Sequence, residues 1–191
     1  MKLDKQELKR QLFHLGLGIV IVLLFYFNLL TELELFIILV IGGVLAVLAS
    51  KWKVPGINWF LKKFEREKVR FPGEGAIFYV LGCFLVLGLF PRDIAFASIM
   101  VLAVGDSFAT LVGSSLGKRK IKNKTLEGSL SGLITGFFAA MIFVSAAMAF
   151  SGTLVAMIFE AVELKLFGKT VDDNLFIPII AAIIMYGVQI I

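Results

Sequence analysis

Long apolar runs without charge, separated by short clusters of charged residues, constrain this chain more than any other feature. Leu12–Leu30 contains no Asp, Glu, Lys or Arg, and neither does Leu35–Ser50. Runs of this length match the roughly 20 residues a helix needs to cross hydrocarbon. With 59% of residues hydrophobic and only 17% charged, a soluble core of this size could not hide the apolar surface. Seven candidate helices follow: Leu12–Leu30, Leu33–Ser50, Gly75–Phe90, Asp93–Leu116, Ser129–Phe150, Thr153–Phe167 and Asn174–Ile191. The expected fold class is therefore all-α: a polytopic membrane helix bundle of about seven transmembrane helices, forming a single catalytic domain over residues 1–191. The charged start and first apolar run read as an anchor that is kept, since no small-residue cleavage site follows.

The charges also orient the chain. If the N-terminus is cytoplasmic and sides alternate through seven spans, 18 of the 19 Lys and Arg fall on one face and only Arg92 on the other. That partition is the positive-inside pattern, and it places the working loops on the cytoplasmic side. It also accounts for the net charge of +5 without nucleic acid, which is not expected as a partner. The longest connection, 51–74, holds Ile57, Phe60, Leu61 and Phe64 at helical spacing, opposite Lys62, Lys63, Glu65 and Arg66. This predicts one amphipathic helix lying in the headgroup layer with Trp59. No internal repeat is evident, which counts against a secondary transporter. Cys83 and His14 are the only cysteine and histidine, so neither a disulfide nor a Cys/His zinc site can form within one chain, and a bound metal must use oxygen ligands.

Several polar residues stand out against this background. Asp106 lies within the fourth apolar run, and an acid at bilayer depth costs about 2.5–3.5 kcal/mol on insertion scales, so it should face the interior and serve a function. Asp106, Ala109, Thr110, Gly113 and Gly117 share one helical face. The loop that follows carries Lys118, Arg119, Lys120, Lys122 and Lys124 ahead of Thr125, Glu127 and Gly128 at the mouth of the next helix. Cations beside a helix N-terminus suit phosphate. Gly128, Gly132 and Gly136 at intervals of four suit close helix packing. Glu160 interrupts the sixth run. Asp172, Asp173 and Asn174 precede the seventh, and adjacent acids with an amide carbonyl are suitable Mg²⁺ ligands when phosphates complete the shell; the same residues also cap helices. Glu7, Arg10 and His14 share a face of the first helix, where Arg10 could serve a phosphate and His14 a proton or a structural hydrogen bond.

In order, Glu7-Leu8-Lys9-Arg10-Gln11-Leu12-Phe13-His14-Leu15-Gly16, Gly105-Asp106, Lys124-Thr125-Leu126-Glu127-Gly128 and Asp172-Asp173-Asn174-Leu175 resemble the CTP-dependent lipid kinase family. That family includes dolichol kinase, phytol kinase and the CTP-dependent diacylglycerol kinase, and is related to phosphatidate cytidylyltransferases. The resemblance runs from about Glu7 to Pro178. It implies transfer of the γ-phosphoryl group of CTP to the hydroxyl of a polyprenol, related isoprenoid alcohol or diacylglycerol, on the cytoplasmic side of a membrane, expected to be the plasma membrane of a prokaryote. The chain lacks the Gly-rich segment of soluble P-loop kinases, so Walker-type mechanics do not apply.

On this basis Asp106, with Asp172, Asp173 and Asn174, is expected to hold Mg²⁺ or another divalent cation. Arg10, Lys118, Arg119, Lys120, Lys122, Lys124, Thr125 and Gly128 are expected to meet the nucleotide. Asp106, Lys124 and Glu127 are the catalytic candidates, with His14 and Glu160 assigned to substrate or structure. The expected partners are the bilayer, a lipid alcohol and the nucleotide, and the small-residue faces permit a homodimer without requiring one. Two rivals remain: a cytidylyltransferase that makes a CDP-lipid from the same metal and basic loop, and a small transporter.

Overall fold

The computed structural model describes the chain apart from residues 1–3, 53–54, 66–68, 123, 163–164, 167–168, 171 and 191. Lys2, Lys53, Arg66 and Lys68 of the charge partition, and the expected helix ends Phe167 and Ile191, lie outside the described residues.

The first helix, α1 (Lys5–Tyr26), begins before its apolar run because the Asp4 side chain caps it, accepting from the Gln6 N–H at 3.2 Å. A capping box opens α2 (Glu32–Lys51): the Thr31 hydroxyl accepts from the Glu34 N–H, and the Glu34 carboxylate accepts from the Thr31 N–H at 2.8 Å. The amphipathic α3 (Pro55–Phe64) forms as the spacing predicts, and it leans on α1 through Phe60 and Phe64, whose rings lie 5.2 and 5.1 Å from that of Phe13. Gly73 sits at φ +80°, a left-handed conformation that suits glycine, and turns the chain into α4 (Glu74–Leu89). The fourth apolar run is one continuous helix of unequal pitch. It starts as α5 (Arg92–Met100), widens into a π turn over Val101–Asp106, and resumes as α6 (Ser107–Leu116).

The antiparallel pair β1 (Lys120–Ile121) and β2 (Lys124–Thr125) leads into α7 (Leu126–Ala140). Helix α8 (Ala146–Val162) follows, then the pair β3 (Lys165–Leu166) and β4 (Lys169–Thr170), and finally α9 (Asp173–Ile190). Helices α6 and α7, and again α8 and α9, are thus joined by a short hairpin. The two hairpins share the sequence Lys-(Ile/Leu)-x-x-Lys-Thr and the same pairing register, Lys120 with Thr125 and Lys165 with Thr170. This local repeat is too short to register as a repeat on the sequence alone.

The chain is mostly helical, and among the described residues four helices are long and apolar enough to cross a membrane: Lys5–Tyr26, Glu32–Lys51, Arg92–Leu116 and Asp173–Ile190. Three further apolar helices, α4, α7 and α8, are shorter. Several helix boundaries differ from expectation: α1 runs over Lys5–Tyr26 rather than Leu12–Leu30, and Lys165–Leu166, expected inside the sixth helix, form β3 beyond the end of α8 at Val162. The break expected at Ser151 and Gly152 falls instead over 141–145, between α7 and α8. Gly152 serves helix packing, because a Cβ there would stand 2.6 Å from Met185 Cγ and 3.0 Å from the Ala181 carbonyl.

Phe25, Tyr79, Ile94, Ile99, Leu102, Ile177 and Met185 are buried in the core between α1, α4, α5, the π turn and α9. Helix α2 turns Leu33, Ile37, Ile41 and Val44 outward, an apolar face of the kind a bilayer covers. Against α6 and the π turn, α7 presents Gly128, Gly132 and Gly136. A Cβ on Gly132 would lie 2.7 Å from Met157 Sδ and 2.8 Å from both Ala109 Cβ and the Gly105 carbonyl. Gly132→Ala should therefore cost about 1–3 kcal/mol through overpacking, read as a lowered unfolding temperature in detergent; an unchanged temperature would contradict the close approach.

Candidate active site

Three acids far apart in sequence converge at one end of α8 and α9. Asp106 closes the π turn, Glu160 lies in the last turn of α8, and Asp173 opens α9. One carboxylate oxygen from each lies within 4.8 Å of the others. A π turn rotates the following side chains relative to a regular helix, and such turns gather at functional sites. Asp106 and Glu160 are buried, and Asp106 Oδ1 and Glu160 Oε2 have no hydrogen-bond partner among the described residues.

Lys124, from β2, reaches into this cluster. Its ammonium pairs with Glu160 Oε1 and lies 3.3 Å from Asp173 Oδ2. Burial works to discharge the lysine, but the carboxylates of Asp106, Asp173 and Glu160 outweigh it and raise its pKa above the ordinary value. One ammonium faces three carboxylates, so the site still favours added positive charge. Two orphaned buried oxygens in an all-oxygen donor set fit a hard divalent cation such as Mg²⁺.

The basic loop is braced at several points. Glu127 accepts from the backbone N–H of Lys118 at 3.0 Å and of Arg119 at 3.2 Å. Thr125 caps α7, accepting from the Gly128 N–H at 3.2 Å. A Cβ on Gly128 would stand 2.5 Å from the Ala109 carbonyl, so this glycine also lets α7 approach α6. Lys122, at φ +53°, donates from Nζ to the Val162 carbonyl at 2.7 Å and ties the hairpin turn to the end of α8. The side chains of Lys118, Arg119 and Lys120 are exposed.

At the start of α9, Asp172 Oδ1 accepts from the Asn174 N–H at 3.0 Å, and Asn174 Nδ2 donates to the Gly75 carbonyl at 3.3 Å. Pro178 has no N–H to offer the Asn174 carbonyl one turn back. Gly82 of α4 lies against that carbonyl, since a Cβ there would be 2.6 Å from it. Of the four expected metal ligands, the structure therefore brings Asp106 and Asp173 together and engages Asp172 and Asn174 in holding α9. Glu160 joins the first pair.

On α1, Glu7 Oε1 accepts from Arg10 at 2.6 Å and from Gln11 at 2.8 Å, with Arg10 and Gln11 buried. The Tyr79 hydroxyl donates to the His14 carbonyl at 3.0 Å, and the two rings meet edge to face. Ser107 Oγ donates to the Gln11 carbonyl at 3.4 Å, so this polar face docks beside the residue that follows Asp106. Gln11, Tyr79 and Ser107 carry no charge and leave no periodicity signal. Glu160 does leave one, the same isolated acid in an apolar run that singles out Asp106.

Comparison with known proteins bears on this arrangement. No family model matches the chain, and no solved structure matches it. An uncharacterized protein of Methanocaldococcus jannaschii is 36% identical over 186 residues, 94% of this chain and 93% of its own length. CTP-dependent diacylglycerol kinase 1 of Schizosaccharomyces pombe is 29% identical over 149 residues, 68% of this chain and 66% of that protein. The phytol kinase of Synechocystis is 25% identical over 201 residues, 98% of this chain and 82% of that enzyme. Similarity at 24–29% identity to CTP-dependent diacylglycerol kinases and phytol kinases supports the CTP-dependent lipid kinase family for this chain. In this chain the acid cluster combines residues from the Gly105-Asp106, Lys124-Thr125 and Asp172-Asp173 segments that carry the resemblance, and adds Glu160 from outside them.

Proposed function

We propose that this membrane protein is a CTP-dependent kinase that moves the γ-phosphoryl group of CTP to the hydroxyl of a membrane lipid alcohol, first of all an isoprenoid alcohol of polyprenol or dolichol type. The observation that carries the reading is the meeting of Asp106, Glu160 and Asp173 around Lys124, next to exposed Lys118, Arg119 and Lys120. A cation-hungry acid cluster beside a basic loop is what a polyphosphate needs, because phosphoryl transfer depends on positioning and charge neutralisation.

Mg²⁺ or a similar divalent cation, held by Asp106, Glu160 and Asp173, would supply neutralisation of the nucleotide phosphates. The chain's own residues do the rest. Lys118, Arg119 and Lys120 draw the phosphates to the membrane surface, and Lys124 offsets charge on the transferring group. Glu127 is a positioning residue that holds the Lys118–Arg119 backbone in place. A carboxylate oxygen of Asp106 or Glu160 accepts the acceptor hydroxyl proton as the new P–O bond forms and the bond to the β-phosphate breaks, releasing CDP. The lipid chain stays in hydrocarbon while its alcohol reaches the site.

In this reading the N-terminus and the site face the cytoplasm of a prokaryotic cell, with seven spans arranged as the charge partition requires. Relatives bearing kinase names and covering most of this chain support a kinase over the synthesis of a CDP-lipid. Purified protein incubated with CTP labelled at either phosphorus decides the matter. Label should enter lipid from the γ position only; entry from the α position would make it a cytidylyltransferase. Parallel reactions with polyprenol, phytol and diacylglycerol rank the acceptors.

A further inference from the structure

A second charged feature lies away from the acid cluster. Asp4, Lys5, Gln6 and Lys9 of α1 and Trp59 and Lys63 of α3 line an open cleft of about 590 Å³. Successive residues of a helix are about 100° apart, so Lys5 and Lys9 share a side of α1 roughly opposite Glu7, Arg10, Gln11 and His14. The latter group turns toward Tyr79 and Ser107, which puts α1 itself between the cleft and the acid cluster. Phe13 of α1 packs against Phe60 and Phe64 of α3, with ring centroids 4.9–5.2 Å apart, which fixes the two helices that carry the cleft.

The cleft is chemically lopsided. Lys5, Lys9 and Lys63 form no ion pair among the described residues. The Asp4 carboxylate caps α1 through the Gln6 N–H. The Lys63 ammonium rests 4.5 Å above the Trp59 ring, a cation–π contact that holds it in place. Trp59 is exposed, on an amphipathic helix whose aromatic residues pack against α1. A tryptophan, lysines and an amphipathic helix together are the composition of the headgroup layer of a bilayer.

We propose that this cleft binds the phosphate headgroup of an anionic phospholipid, as a site separate from the acid cluster. Three lysines recognise the phosphodiester charge, Trp59 borders the glycerol region, and the volume is within the range of small-ligand sites. The excess of cations disfavours a zwitterionic headgroup, whose own ammonium would meet Lys5, Lys9 and Lys63. The inference does not depend on which acceptor the enzyme phosphorylates.

The test is native mass spectrometry of the detergent-purified full chain mixed with equal amounts of phosphatidylglycerol and phosphatidylcholine, for wild type, for K5Q/K9Q/K63Q and for K5R/K9R/K63R. Wild type and the arginine variant should retain phosphatidylglycerol preferentially. Each lysine lost should weaken retention about fivefold, approaching 100-fold for all three. Equal retention of both lipids by wild type, or undiminished phosphatidylglycerol on the glutamine variant, would overturn the proposal. Equilibrium binding of CTP separates the other source of phosphate: CTP affinity should be the same in all three proteins, and its loss in the glutamine variant alone would make the cleft part of the nucleotide site. Arginine keeps the charge, so loss of phosphatidylglycerol retention in both variants would also count against recognition by charge.

Discussion

Replacing Asp106 with asparagine is expected to leave a folded chain that no longer transfers phosphate, with kcat reduced by about 10²–10³-fold or more, the range seen when one preorganised electrostatic group is removed. Asparagine has nearly the same shape, so the contacts around the π turn survive. What disappears is one of three negative charges whose oxygens lie within 4.8 Å of one another. Removing it relieves like-charge repulsion, so the unfolding temperature should hold steady or rise while activity falls. A site residue under electrostatic strain shows this opposition of stability and activity; a residue that only packs would lose both. Thermal unfolding and γ-label transfer on the same preparation measure the two sides, and activity within a few-fold of wild type would take Asp106 out of the mechanism.

Lys124→Gln should have the opposite stability signature. Lys124 is the only cation shown in ion pairs with this cluster among the described residues, and Glu160 beside it is buried. Removing one partner of a buried pair leaves uncompensated charge and costs about 3–5 kcal/mol, with the low end expected here because Lys124 keeps some contact with solvent. Activity should fall as well, since the loop loses its cation nearest the acids. The variant should then depend more on divalent cations: added Mg²⁺ should raise its unfolding temperature more than that of wild type, because ligand binding to the folded state alone stabilises by mass action. An equal Mg²⁺ response in both proteins would mean that the ammonium and the metal do not share the acid cluster. The raised pKa of Lys124 sets the pH behaviour of the wild type. The stabilisation is complete below the ordinary lysine value and is lost only as pH rises through the higher folded value, so the pairing persists across the neutral range.

How legible the site is in the sequence differs from residue to residue. Asp106 stands out because an acid inside an uncharged helix is costly and persists where it has a function. Lys124 and Asp173 are recognisable by type and by the membrane side that the charge pattern predicts for both, although nothing in one dimension says that they touch. Glu160 carries a signal like that of Asp106, an isolated acid within an apolar run, and the structure moves it to the last turn of α8, where it meets Lys124. Asp172 and Asn174 look identical to ligands in the sequence, yet backbone geometry turns Asp172 onto the Asn174 N–H and Asn174 onto Gly75. Gly152, which resembles a chain break, is a contact for Met185.

The order of the chain by itself settled the matters that depend on length and local composition: apolar stretches long enough for hydrocarbon, the amphipathic spacing of α3, and the separation of cations from apolar runs. These follow from the cost of placing charge or open backbone in lipid, which acts on each segment separately. Only the tertiary structure decided which acids share a cation. That outcome rests on a π turn that re-aims Asp106 and on glycines at 105, 128 and 132 that let α7 close on the helix carrying it. The glycine contacts act between segments distant in sequence, where steric fit rather than local preference determines what meets.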